Sequence, residues 1–573
     1  MVLELQNFEI VWMLNELADL LEIKGENQFK IRAYRNAARS ISRLEQNISG
    51  FHDRNELKKI HGIGSNIADK IIEFLETGTL AALSRLREEV PEGLMTLTRL
   101  PGVGLKSAKA IHENFGVKDT DDIERLAKEH KIRSLPGLGP KTELNILRGI
   151  QMLKQNQESS PLYMALASGE IFADFLRGLK EVSRVEIVGS VRRGKEMVGN
   201  VNILAGASDF APVIDAFSKH PHLKQVSSAE NNRVKGVSLL GVNIDLILVS
   251  EEKFIQAFHF WTGSREHLEQ LTAAQRGRNN GWQSDIAVTG EEDIYAALGL
   301  PYIQVELREG SGEVEAALNN LLPDLVNTSD IRGDLHVHST WSDGISTIEE
   351  LVQEAINRGY SYIAITDHSK SLAIANGLDE ERLLRQGQEI RRLREKYSPF
   401  LILHGIEVDI LSDSRLDFED SVLAQLDIVV ASIHTGFKQD EETLARRLNA
   451  AMENPFVDII AHPTGRILGR RPPYKFALDT FIEKAAVTGA VLEINASPDR
   501  LDLNAEQVRK AKENGVKIAI DTDAHDRARL GDIKFGVITA RRGWLEKEDV
   551  INCLSPAELL DFLAQRRRKA VKT

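Results

Sequence analysis

Nine side chains of metal-ligand type stand at the ends of apolar runs in the last 240 or so residues of this 573-residue chain. DLHVHS supplies His336 and His338, and WSDG adds Asp343. ITDHS supplies His368, HGIEVDI Glu407, ASIHT His434, IIAHPTGR His462, and DTDAH both Asp523 and His525. Nine nitrogen and oxygen donors exceed what one ion needs, and their types suit two or three ions of the Zn, Mn or Fe kind. Such a cluster generates hydroxide at neutral pH and braces both oxygens of a phosphoryl displacement. A lone histidine on a strand is more often a packed core residue. Six of the chain's 15 histidines placed after apolar runs do not fit that reading.

These donors need elements that converge. The runs YIAIT, FLILHGIEV, IVVASIH, VDIIAHP, AVLEINA and VKIAIDTDAH alternate with helical segments, the βαβ pattern of a parallel sheet or barrel. In a (β/α) barrel the C-terminal strand ends meet on one face, where active sites form. A His-x-His pair on a strand points both imidazoles to one side, and the same holds for Asp523 and His525.

The first 150 residues read as helical and contain a recurring spacing. LKKIHGIGSNIADKI, LTRLPGVGLKSAKAI and IRSLPGLGPKTELNIL each place two glycines before a helical pattern: Gly62 and Gly64, Gly102 and Gly104, Gly137 and Gly139. The glycines permit a tight turn, which exposes N–H groups that can hold a phosphate oxygen. One copy could be a plain packing corner. Three copies read as helix-hairpin-helix elements that bind DNA by its backbone rather than its sequence. A polar stretch, QNQESS, then reads as a linker. RVEIVGS, VGNVNILAG, VKGVSLLG and VNIDLILVS beyond it read as strands of one sheet, the last two as a hairpin. The basic end, RRRKAVK, reads as a solvated tail.

Composition sets limits. The net charge of −13 argues against coating nucleic acid by bulk electrostatics, yet residues 1–160 are neutral, with 23 basic and 23 acidic side chains. No apolar run reaches the roughly 18 residues of a membrane span, and MVLELQNFEI lacks the apolar core of a secretory signal. The single cysteine, Cys553, excludes a disulfide framework and a Cys-rich zinc site. These features point to a cytoplasmic protein; its oligomeric state is open, with a monomer favoured.

The series DLHVHS, SDG, ITDHS, GIEVDI, IHTG, AHPTGR and DTDAH resembles the PHP family of metal-dependent phosphoesterases over about 330–570. The resemblance implies a distorted (β/α)7 barrel and Mn²⁺- or Zn²⁺-dependent hydrolysis of phosphate esters. Arg466 and Arg470, in HPTGRILGRR, are phosphate-clamp candidates; as solvated loop arginines they would do nothing of the kind. Upstream, VEIVGSVRRGKEMVGNVNILAG resembles the palm of family X DNA polymerases. By that resemblance Gly189, Ser190 and Arg193 grip a triphosphate, Gly263 of FWTGS lies in the nucleotide-selecting turn, and Asp245 is the third catalytic carboxylate.

One departure bears on mechanism. Where that family has Asp-x-Asp, this chain has Asn200-Val201-Asn202. Two-metal nucleotidyl transfer needs anionic oxygens, and an amide offers one neutral oxygen that cannot bridge two ions. Mg²⁺ or Mn²⁺ at the palm therefore lacks most of its ligands. The pair reads either as an introduced change or as natural drift. Leu268 after His267, RGRNNGWQSD, and Gln304-Val305 in PYIQVELREG also depart from the family and favour drift. At the N-terminus, FKIRAYR and GIGSNIADKI resemble the family's lyase domain, with Lys70 as Schiff-base lysine supported by Lys30 and Tyr34. Asn66 stands where a second basic residue is common, and Lys70 also reads as a surface lysine touching phosphate.

The expected protein is multidomain: a lyase-like all-α segment over 1–85, helix-hairpin-helix fingers over 86–155, an α+β nucleotidyltransferase palm over 161–325 and an α/β PHP barrel over 330–573. The expected function is DNA repair at gaps, nicks or 3′ ends, with a metal-dependent 3′–5′ exonuclease, an impaired polymerase and dNTP as a further ligand. An active gap-filling polymerase with proofreading and a non-catalytic gap-binding scaffold are the alternatives. A phosphatase of small esters has no use for the helix-hairpin-helix repeats.

Overall fold

The computed structural model describes residues 5–41, 44, 48–51, 53–100, 103–277 and 288–570; Gly102, and residues 278–285 of RGRNNGWQSD, lie outside them. The chain divides into two compact units. The first is Met1–Val191 with Met197–Ala257, and the second is Arg192–Glu196 with Phe258–Thr573.

The first unit opens with the expected helices. In Gln28–Ile41 the buried residues Ile31, Tyr34, Ala38 and Ile41 recur every three or four positions, so one face joins a core with Ile10, Leu14 and Leu17. The glycine turns fall directly before helices. Gly64, Gly104 and Gly139 are the N-caps of Ser65–Thr77, Leu105–Phe115 and Pro140–Glu158, and none has a capping side chain. Gly62 and Gly137 have φ of +82° and +79°, a region that strains any residue with a Cβ. A Cβ on Gly64, Gly104 or Gly139 would meet nothing within 4 Å, so the approach to each helix start is open.

A five-stranded sheet completes this unit: β1 (Val182–Val188), β2 (Val201–Ala207), β3 (Leu223–Glu230), β4 (Arg233–Ser238) and β5 (Asn243–Val249). Its order is β1-β2-β5-β4-β3, with β2 and β5 parallel and the other neighbours antiparallel. The expected hairpin is β4–β5. The register places Val188, Asn202, Asp245 and Lys235 in one row across four strands.

The second unit contains seven parallel strands in sequence order: β6 (Gly333–Asp334), β7 (Tyr362–Ile365), β8 (Leu401–Asp409), β9 (Ile428–Ser432), β10 (Ile459–Ile460), β11 (Val491–Asn495) and β12 (Ile518–Asp521). A parallel bridge between Val337 and Ala524, just beyond β6 and β12, nearly closes the sheet into the barrel that the apolar runs imply. β7, β9 and β11 are buried at every position, as expected for strands covered on both faces. Four of the intervening helices start on a capping side chain, Thr347, Asp379, Asp440 or Asn504, and Thr347 and Glu350 form a capping box at Ile348–Asn357.

The basic end departs from expectation. Arg566 is buried and donates to the Gly489 carbonyl at 3.1 Å, and Arg567 donates to Asp458 at 2.6 Å and to the Leu426 carbonyl at 2.7 Å. Asp458 is fully buried, and a buried carboxylate needs paired charge. Two arginines of the stretch read as a solvated tail meet that need.

Candidate metal centre

All nine donors sit where strands of the barrel end. His336 and His338 follow β6, His368 follows β7, Glu407 lies two residues before the end of β8, His434 follows β9, His462 follows β10, and Asp523 and His525 follow β12. Asp343 comes from the loop after β6. His462 and Asp523 hold φ of +29° and +54°, conformations that non-glycine residues adopt where surrounding structure enforces them.

Glu407 is the hub. Its Oε1 lies 3.5 Å from His336 Nε2, 3.4 Å from His434 Nε2 and 3.1 Å from His462 Nε2. Its Oε2 lies 2.7 Å from His368 Nδ1 and 3.6 Å from His338 Nε2. Asp523 Oδ1 stands 3.1 Å from His338 Nε2, and Asp343 Oδ1 stands 3.5 Å from His368 Nε2 and 3.3 Å from His525 Nε2. Three overlapping groups have donor atoms within 4.8 Å of one another: His338, Asp343, His368 and His525; His336, His338 and Glu407; His368, Glu407 and His434. Asp523 and His462 border these groups through the contacts just given.

The donor set fits metal ions better than it fits its own hydrogen bonds. His368 Nδ1 and Glu407 Oε2 are buried and only 2.7 Å apart, yet neither is hydrogen bonded. Two donor atoms that meet without hydrogen-bond geometry are arranged to share a third atom. Nε2 of His336 and Nε2 of His338 also meet at 3.1 Å, where one ring donates to the other. Burial, reinforced by His368 and His525, pushes His338 down to about 3, so its lone pair is available. Burial would raise the Glu407 carboxyl, but His434, His368 and His336 overcome it and hold the group well below the usual range.

A second layer fixes the donors. His336 Nδ1 meets Glu493 Oε1 at 2.6 Å, and Glu493 Oε2 accepts from the His462 backbone at 2.6 Å and from Asn495 at 3.2 Å. Asn495 also donates to Asp523 at 3.1 Å. Asp409 sits 3.1 Å from His434 Nδ1. Asp367 accepts from Ser339 Oγ and Gln386 at 2.6 Å each, beside the His368 segment. Partners of this kind set the ring orientation and tautomer of a metal-binding histidine. Sequence reasoning missed these residues, although Glu407/Asp409 and Glu493/Asn495 are i, i+2 pairs and such pairs share a face.

It also missed Arg500. This half-buried side chain has Nε 3.6 Å from Asp523 Oδ2, and its Nη1 has no hydrogen-bond partner. Arg466, the clamp candidate, is instead engaged by Glu196 through both Nη atoms at 2.8 and 2.7 Å and by the Arg500 carbonyl at 3.0 Å. Arg470 is exposed.

The palm residues are placed differently. Gly189 (φ +72°) and Ser190 belong to the first unit, Arg193 and Gly263 to the second. Arg193 is buried, pairs with Glu309 at 2.9 Å and donates to the Thr262 carbonyl at 2.7 Å. Asn200 Nδ2 donates to Asn202 Oδ1 at 2.7 Å. Asp245 accepts from Nε and Nη2 of Arg233 in a bidentate pair, with Nε at 2.7 Å. In the helical segment, Lys70 and Tyr34 both donate to Asn66 Oδ1, at 2.9 and 3.3 Å, while Lys30 pairs with Glu26 at 3.5 Å.

A nearly closed seven-stranded parallel barrel, rimmed by this cluster, defines a PHP-type metal-dependent phosphoesterase, and residues 334–497 match the PHP domain family. Residues 5–80 match a helix-hairpin-helix domain and residues 94–152 a SAM-like helix-hairpin-helix tandem. The chain is 37% identical over 567 residues to the DNA polymerase/3′–5′ exonuclease PolX of Bacillus subtilis (strain 168), covering 97% of this chain and 99% of that one. It therefore belongs to the PolX family. Two shorter relatives align with about two fifths of it. A probable phosphatase of Thermoanaerobacter sp. (strain X514) is 30% identical over 247 residues, 41% of this chain and 96% of that one. A probable phosphatase of Caldanaerobacter subterraneus subsp. tengcongensis is 32% identical over 247 residues, 41% of this chain and 92% of that one.

Proposed function

We propose that this chain is a DNA-repair enzyme that removes nucleotides in the 3′-to-5′ direction at its barrel rim and whose polymerase palm is impaired. The observation that carries the reading is Glu407, whose two oxygens face five imidazoles in a buried donor set short of hydrogen bonds. The layout proposed is a lyase-like segment over 1–85, helix-hairpin-helix fingers over 86–155, the palm and its flanking helices over 161–325, and the phosphoesterase over 330–573. The open helix starts at Gly64, Gly104 and Gly139 hold the backbone of gapped or nicked DNA. The absence of a helix long and apolar enough to cross a membrane, among the described residues, is compatible with action in the cytoplasm, where a monomer suffices.

The nine donors hold two or three ions, Mn²⁺ or Zn²⁺. When bound, the ions make a nucleophile from water at neutral pH and neutralise charge on the phosphate. The protein's own part is positioning. Glu493 and Asn495 fix His336, His462 and Asp523, and Asp409 fixes His434. Arg500 offers Nη1 to a phosphate oxygen, the acceptor it otherwise lacks.

A Mn²⁺-dependent nuclease assay on 5′- and 3′-labelled DNA, wild type beside His336→Ala, tests polarity and site together. Loss of mononucleotides from the 3′ end, abolished in the variant and by chelation, is the expected result. Undiminished cleavage in His336→Ala sinks the proposal. Primer extension on gapped DNA tests the palm separately: robust incorporation would show that it works. The lyase reading of Lys70 is tested by borohydride trapping, which Lys70→Ala must abolish if that lysine is the nucleophile.

A further inference from the structure

The residues at the palm do not fit a divalent ion. A metal site needs oxygens that are anionic and free to turn toward the ion. Asn200 and Asn202 are neutral and spend an amide and a carbonyl on each other at 2.7 Å. Asp245, the one remaining carboxylate, is buried and gives both oxygens to Arg233.

The sheet explains why Arg233 reaches it. Lys235 on β4 pairs directly with Asp245 on β5, and Arg233 lies two positions before Lys235 on the same strand, hence on the same face. It is the diagonal neighbour of Asp245, within reach of a long side chain across an antiparallel pair. Asn202 is the neighbour of Asp245 on the other side, across the parallel β2–β5 ladder. In the row of Asp245 the neighbours are thus the neutral Asn202 and the exposed Lys235, and Arg233, which itself opposes Glu230 on β3, is the guanidinium that reaches the buried carboxylate. A bidentate guanidinium–carboxylate pair is the strongest neutraliser a side chain can provide, and an incoming cation would have to break it.

We propose that the palm takes no divalent ion and that Arg233 supplies, from within the chain, the positive charge an ion would bring to Asp245. The inference rests on reading this face as a family X palm. It goes beyond an impaired polymerase, because restoring the two aspartates would not by itself recreate an ion site: Arg233 would still hold the third ligand.

The test counts Mn²⁺ bound per full-length chain by equilibrium dialysis, with circular dichroism confirming that each variant is folded. Asp245→Asn is expected to bind as many ions as wild type; one ion fewer overturns the proposal. The double variant Asn200→Asp/Asn202→Asp is then compared with the same variant carrying Arg233→Gln. Removing the arginine is expected to tighten Mn²⁺ binding at the regained site at least tenfold. If the double and triple variants bind alike, whether both gain an ion or neither does, Arg233 is not the counter-charge and the inference fails. These outcomes are independent of the barrel, whose own function is read by 3′-end hydrolysis.

Discussion

The barrel rim and the palm face each gather acidic or amide side chains near the ends of parallel strands, and they handle charge in opposite ways. At the rim, Glu407 and Asp523 face converging imidazoles, Glu407 Oε2 and His368 Nδ1 meet without a hydrogen bond, and the outward atoms of His336 and His434 are held by Glu493 and Asp409. At the palm, Asn200 is bonded to Asn202 and Asp245 to Arg233. The first arrangement is incomplete without a cation; the second is already neutral. The lesson is that a ligand-like set of residues marks a metal site only when its donor atoms are left with nothing else to bind.

The largest effect that would break this comparison is at Glu407. Glu407→Gln leaves one neutral oxygen among five histidines, and 3′–5′ hydrolysis should fall by about 10³-fold. A fall of less than tenfold would mean that the hub is not at Glu407. Chelation comes next. Ions held at a hundred times their Kd stabilise the folded barrel by about 2.7 kcal/mol per ion. Hydrogen exchange should therefore show strands β6–β12 opening more readily after EDTA, while β1–β5 exchange unchanged; equal loosening of both units would erase the contrast.

A third expectation concerns pH away from the donors. Burial pushes His404 down to about 4, below its ordinary value of 6.5. Between those values the unfolded chain binds a proton that the folded one refuses, so stability is full above pH 6.5 and falls as pH drops toward 4. The loss is about 2 kcal/mol at pH 5. Denaturant midpoints of wild type and His404→Gln, compared at pH 7.5 and pH 5, should diverge by that amount at the lower pH, because the variant cannot titrate. The smallest effect is at Arg500. Removing a guanidinium that offers one nitrogen to phosphate, in Arg500→Ala, should lower kcat/KM for 3′-end hydrolysis by about tenfold with Mn²⁺ binding unchanged.

Eight of the nine donors were legible because they lie at the ends of apolar runs, and strands of a parallel barrel must end together; Asp343, in the loop after β6, was legible only through its SDG motif. The three glycine turns were legible because the φ at Gly62 and Gly137 asks for glycine whatever lies around it. Partnerships across long sequence distances were not. Nothing local tells that Arg466 will be held by Glu196, 270 residues earlier, or that Arg567 will close over Asp458, 109 residues earlier. The pairing of Arg233 with Asp245 lay between these cases. The hairpin was expected, but the diagonal contact follows only once Lys235 is known to oppose Asp245.

Closure of the barrel between Val337 and Ala524 has a consequence for the order in which the protein is made. Asp523 and His525 flank that bridge and are the last of the nine donors to be synthesised, while His336 and His338 are the first. The ring shuts and the ligand set is complete in the same event. A nascent chain still short of its final strand already contains its helix-hairpin-helix segments but lacks both closing donors. The metal-donor set is therefore completed only when the last barrel strand has been made, well after the helix-hairpin-helix segments.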